Sequence, residues 1–184
     1  MEKYSLSTAL AQAGFFLDRA TGAVTPPIHP STTFARDDNY ELIGAYKYSR
    51  YQNPTYDQVE RLAAKLDEGA EAILFASGMA AITAVFETVD MGQHVVAPLV
   101  MYHGAQDWLR HIARKRGIGL TLFDATDSGA LRRSIIPGKT AIVWVETPVN
   151  PTWDVIDIAD AAQAAHDAGA ILGVDGTVST SVTT

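Results

Sequence analysis

Cysteine is missing altogether from these 184 residues. That excludes disulfides, thiolate metal sites and a cysteine nucleophile. Positive charge is also short: 14 Lys and Arg stand against 21 Asp and Glu, a net charge of −7. Such a balance argues against a nucleic-acid partner. The one basic crowd, Arg110, Arg114, Lys115 and Arg116, falls late in an expected helix. There cations favour the helix C-terminus and form a solvated face. No apolar run approaches membrane-spanning length, and no basic segment leads into a long apolar stretch at the N-terminus. The expected location is therefore the cytoplasm, with no membrane partner. No Gly-x-Gly-x-x-Gly follows an expected strand, which weakens a dinucleotide-binding reading.

What remains is a globular composition, 47% hydrophobic and 19% charged, on a chain long enough for a sizeable core. Residues 5–18 read as a short helix carrying Leu6, Leu10 and Leu17. From Ala20 to Asn53 helical periodicity disappears, and Pro26, Pro27 and Pro30 rule out regular helix early in that stretch. Five of the seven tyrosines, Tyr40, Tyr46, Tyr48, Tyr51 and Tyr56, fall in it or just after it. It is too apolar for a disordered linker. It reads as an extended arm that packs on another subunit or wraps over its own domain. Residues 1–53 are taken as this arm, and 54–184 as an α/β domain.

Asn53-Pro54 marks a helix start, with Asn as the cap and Pro at the first helical position. Val59, Leu62, Ala63 and Leu66 recur at helical spacing, and Gly69 ends the run. A regular alternation follows. Strands are expected at 72–76, 94–99, 119–124, 140–146 and 170–175. Helices are expected between them at 79–88, 104–116, 127–134 and 156–168. Apolar strands alternating with helices imply a mostly parallel sheet with helices on both faces.

Ligands in such sheets bind at the carboxyl ends of the strands. Those ends carry Ser77-Gly78-Met79, the segment from Pro98 to Tyr102, Glu146-Thr147-Pro148-Val149-Asn150-Pro151 and Asp175-Gly176-Thr177. Ser77-Gly78 before a helix is either a plain turn or an anion site. In the second case free helix amides point forward, Gly78 lets a ligand approach and the Ser77 hydroxyl adds a donor. Asp175 ends a buried strand with no metal-ligand cluster beside it, so it needs a cationic partner. A protonated ring nitrogen suits it, and pyridoxal phosphate supplies one together with a phosphate.

Five stretches in register carry a wider likeness: Tyr48-Ser49-Arg50 with Asn53-Pro54-Thr55, Ser77-Gly78-Met79, Tyr102, Glu146-Thr147-Pro148 with Asn150-Pro151, and Val174-Asp175-Gly176-Thr177. With them the chain resembles the N-terminal part of the Cys/Met-metabolism pyridoxal-phosphate enzymes. That family includes cystathionine gamma-synthase, cystathionine lyases and O-acylhomoserine sulfhydrylases. The resemblance implies an aminotransferase-like large domain, incomplete at its C-terminus, with pyridoxal 5'-phosphate as cofactor and a sulfur amino acid as substrate. It implies phosphate binding by Ser77 and the Gly78 and Met79 amides. Tyr48 and Arg50 would reach the phosphate of a neighbouring subunit in a homotetramer built from dimers with shared sites. Tyr102 would stack on the ring and move protons, as the catalytic residue found in this chain. Asn150 would bond the phenolic oxygen, Asp175 would pair with the ring nitrogen, and Thr177 would lie near the ring. Glu146 would support the site from behind or simply end a strand. Gly176 departs from the Asn usual in the family. The family's Schiff-base lysine would lie beyond Thr184, since none of Lys3, Lys47, Lys65, Lys115 and Lys139 sits in a suitable turn. The expected function is beta or gamma elimination or replacement. The alternative is a non-catalytic assembly module that binds phosphate and partner subunits.

Overall fold

The computed structural model describes residues 4–12 and 14–183. They form two compact units, Met1–Leu74 and Phe75–Thr184.

Among the described residues the first unit holds two helices. Helix α1, Leu6–Ala11, starts at Ser5, whose hydroxyl accepts from the Thr8 N–H. The helix expected over 5–18 is therefore cut short. Gly14 and Phe15 both take positive φ, 66° and 62°, and a left-handed pair cannot continue a right-handed helix. Between residues 20 and 53 the chain has no regular element. It doubles back through isolated antiparallel bridges at Thr33–Tyr48 and Arg36–Leu42. Helix α2, Pro54–Leu66, starts as the sequence indicates: the Asn53 side chain accepts from the Thr55 N–H and Pro54 opens the first turn. The Asn53 amide also donates to the carbonyl oxygens of His29 and Ser31, which ties the arm to the start of α2.

The second unit is an alternating α/β layer. Its elements are α3 (Gly78–Glu87), β1 (His94–Pro98), α4 (His103–Arg116), β2 (Gly119–Phe123), α5 (Ala130–Ser134), β3 (Thr140–Glu146), α6 (Ile158–Asp167), β4 (Ile171–Asp175) and α7 (Thr180–Thr183). The four strands are all parallel, in the order β2-β1-β3-β4. Strand alternation decides which helix covers which face. Val95, Ala97, Ile142 and Trp144 join Phe86 of α3 and Leu109 and Ile112 of α4 in one cluster. Val96, Val143 and Val145 join Leu131 of α5 and Ala161, Ala164 and Ala165 of α6 in the other. The central strands β1 and β3 are thereby buried on both faces, while the edge strand β4, expected to be buried, leaves Ile171 and Val174 exposed because no strand or helix covers its outer side among the described residues.

One expected element is absent. The run 72–76 forms no strand, and Ile73, Leu74 and Phe75 are 74%, 48% and 41% exposed. An apolar run becomes a strand only where a neighbour supplies a hydrogen-bond ladder. Here the Leu74 N–H donates to a side chain, the Glu60 carboxylate at 2.7 Å, in place of a ladder partner.

Chain order sets the place of a site. From β1 the chain crosses to β2 on one side, then returns to β3 on the other side of β1. The carboxyl ends of β1 and β3 thus flank the switch point of the sheet, where a crevice opens.

Candidate active site

A cavity of about 340 Å³ lies at the carboxyl ends of the strands, within the size range of small-ligand pockets. Its wall includes Ser77, Gly78, Met79, Tyr102, Asn150, Asp175 and Thr177. Seven of the nine residues named from the sequence thus meet in one place.

The start of α3 forms one wall. Ser77 has extended backbone, and its Oγ accepts from the Ala80 N–H at 3.1 Å, which leaves the hydroxyl hydrogen free to donate. The Ala81 N–H bonds the Ser77 carbonyl. The Gly78 and Met79 N–H groups have no partner among the described residues. A side-chain carbon added at Gly78 would meet nothing within 4 Å, and Gly78 and Met79 both line the cavity, so a ligand can come close to the backbone here. Two free donors at the positive end of a ten-residue helix suit a phosphate.

Tyr102 forms the N-cap of α4, with its side chain 42% exposed. Its ring lies against Gly104. A carbon added there would come within 3.0 Å of the tyrosine Cε1, so the glycine makes room for the ring. Asn150 sits in the loop after β3. Its carboxamide has no partner among the described residues and is free to meet a ligand.

Asp175 ends β4. One of its oxygens, Oδ1, accepts both the Thr177 N–H at 3.0 Å and the Thr177 hydroxyl at 2.6 Å. The other oxygen has no partner among the described residues, so it can accept from a ring N–H⁺. Glu146, the neighbour of Asp175 in strand register, is only 4% exposed. Its Oε2 accepts from the Tyr102 N–H at 2.6 Å and its Oε1 from the Asn150 N–H at 2.7 Å. Burial pushes the Glu146 carboxyl up; the two N–H bonds pull it back, and the Asp175 charge adds to the rise.

Tyr48 and Arg50 belong to the first unit. Arg50 Nη2 donates to the Tyr48 hydroxyl at 3.4 Å, and its guanidinium lies 5.5 Å from the centre of the same ring. Its other N–H groups have no acceptor among the described residues. Ile82 and Val178, which also line the cavity, were not singled out from sequence. Ile82 follows Gly78 by one helical turn, a spacing that would have placed it on the same face.

The donor set fits a phosphorylated aromatic cofactor: two amides for an anion, a ring to stack, an amide for an oxygen and a carboxylate for a protonated nitrogen. A parallel sheet with such a cavity at its switch point is the frame of a ligand-binding α/β enzyme domain. The chain belongs to the Cys/Met metabolism PLP-dependent enzyme family, which it matches over residues 7–184. It is 36% identical over 177 residues to cystathionine beta-lyase MetC of Bacillus subtilis, covering 96% of this chain and 45% of that protein. Cystathionine gamma-synthase of Mycobacterium tuberculosis is 37% identical over 172 residues, covering 93% and 44%. The crystal structure of metB from Corynebacterium glutamicum superposes with a TM-score of 0.90 at 31% identity, covering 98% of this chain and 47% of that one. The chain spans about half the length of the curated relatives it matches.

Proposed function

We propose that this chain is the cofactor-binding N-terminal part of a trans-sulfuration enzyme. The reaction is beta or gamma elimination or replacement on a cysteine-, cystathionine- or O-acylhomoserine-like amino acid. The observation that carries the reading is the single cavity onto which the α3 amides, Tyr102, Asn150 and Asp175 converge from four separate segments. Bound pyridoxal 5'-phosphate supplies an electron-accepting ring that acidifies the substrate carbon next to the nitrogen.

The chain's own residues then have defined work. Gly78 and Met79 donate their N–H groups to phosphate oxygens, and the Ser77 hydroxyl adds a third donor. Tyr102 lays its ring on the cofactor ring, and its hydroxyl takes and returns a proton at the reacting atoms. Asn150 donates its carboxamide N–H to the ring oxygen. Asp175 accepts from the ring nitrogen and keeps that proton in place, while Thr177 steadies the carboxylate. Tyr48 and Arg50 extend to the phosphate in a neighbouring subunit, where the planar guanidinium can donate two bonds at once. That role calls for a homo-oligomer, a tetramer built from dimers with shared sites, working in the cytoplasm.

The test is a titration of the protein carrying this chain with pyridoxal 5'-phosphate, followed by turnover of cystathionine. The wild type is expected to bind and react. Asp175→Ala should raise the cofactor Kd at least about tenfold, the loss of a charge-assisted hydrogen bond, and abolish turnover. Normal turnover in that variant would overturn the reading.

A further inference from the structure

We propose that Glu146 is a positioning residue that sets Tyr102 and Asn150 relative to each other across the switch point of the sheet. The inference rests on the proposed function, because it concerns the same cavity.

The geometry is specific. Glu146 ends β3, Tyr102 follows β1, and Asn150 lies in the loop after β3. One carboxylate spans both loops, with Oε2 on the Tyr102 N–H and Oε1 on the Asn150 N–H. Among the described residues neither N–H has another acceptor. The Tyr102 side chain makes no cap bond to α4, so its backbone is held from outside the helix. Two residues that present a ring and an amide to the cavity are therefore fastened to one buried group.

The chemistry of that group narrows its role. Both oxygens accept, so the ionised form satisfies the two N–H groups together, and among the described residues no cation pairs with it. Asp175 stands at the adjacent strand end and disfavours that charge. A buried anion beside a second anion does little for stability, yet this side chain meets both loops at once. Gln would keep the length but offer one acceptor and turn an NH₂ toward the other N–H. Asp would keep both acceptors but withdraw them by about 1.5 Å, one carbon–carbon bond.

The protein carrying this chain is titrated with pyridoxal 5'-phosphate as wild type, E146Q, E146D, N150A and E146Q/N150A. The readouts are Kd, the circular dichroism induced in the bound cofactor, and the thermal midpoint without ligand. Glu146→Gln is expected to raise Kd about tenfold and to alter the induced dichroism, with little change in the ligand-free midpoint. Asn150→Ala should cost less in the E146Q background than in the wild type, since both act on one constellation. Where E146Q folds poorly, the same cycle is read with E146D. Wild-type affinity and dichroism in both Glu146 variants, or full additivity with N150A, would overturn the positioning role while leaving the cofactor reading intact. Failure of the wild type to bind pyridoxal 5'-phosphate would remove both.

Discussion

Gly173→Ala adds one carbon to the middle of β4, and the structure indicates what that carbon would meet. Gly173 faces Trp144 across the β3–β4 ladder, as its partner in register. A Cβ built on Gly173 lies 2.6 Å from the Trp144 Cε3 and 2.9 Å from Cζ3. Carbon pairs settle at about 3.5–4.0 Å, so the indole or the strand would have to yield by roughly 1 Å. The indole cannot swing away easily. It is 4% exposed and packs on Phe86 with ring centres 5.0 Å apart. Overpacking of this kind costs about 1–3 kcal/mol. The backbone of Gly173 is not left-handed, so alanine recovers about 0.4–1 kcal/mol through the unfolded chain. The net expectation is a loss of about 1–2 kcal/mol. Urea unfolding is the assay, with a fall in midpoint of about 0.5–1 M for a slope of ~2 kcal/mol/M. Gly173→Ala should cost less in a Trp144→Leu background than in the wild type, since that change removes the two carbons in conflict. The Trp144 Nε1 has no partner among the described residues, so that substitution strands no acceptor. A G173A protein as stable as the wild type would refute the reasoning.

Gly104, which also faces a ring, gives the opposite pattern. Gly104→Ala would press on the Tyr102 ring at 3.0 Å, but that side chain is partly exposed and can shift. Stability should stay within about 0.5 kcal/mol while the Kd for pyridoxal 5'-phosphate rises several-fold; an unchanged Kd in a binding titration would count against the stacking role of Tyr102. His94 is buried at the start of β1, with Nδ1 and Nε2 each 2.9 Å from a threonine hydroxyl, those of Thr140 and Thr121. Burial, with the Lys139 charge, lowers its pKa. The folded state then binds fewer protons than the unfolded one near the usual imidazole value, about 6.5. Its stabilising effect is complete above that value and is lost as pH falls through and below it. Unfolding free energies between pH 7.5 and 5 should show this slope in the wild type and lose it in His94→Gln; equal slopes would show that another group is responsible.

Several parts of the fold were legible along the chain because their causes are local. Asn53 is a side-chain cap two residues from the Thr55 amide it serves, with Pro54 opening the helix beside it. The strand from Thr140 to Glu146 is an apolar run buried on both faces. Seven residues of the cavity wall were legible for the same reason, since each sits where a strand or turn gives way to the next element, whereas Ile82, inside α3, and Val178 were not. The run 72–76 was misread because apolar composition reports a wish for burial and says nothing of whether a ladder partner is there. Helix α1 was overextended because Leu17 fits a helical stripe, while the positive φ of Phe15 has no signature in its side chain.

The sequence by itself determined most of the elements of the second unit, the cap at Asn53 and the chemical kinds of group at the strand ends, because these depend on neighbours a few positions away. Only the tertiary structure decided the strand order β2-β1-β3-β4, which puts the ends of β1 and β3 on either side of one crevice. Only it joined Glu146 to a backbone N–H 44 residues away and seated Gly173 against Trp144. Those contacts follow from how parallel strands pair through space, and spacing along the chain carries no record of that pairing.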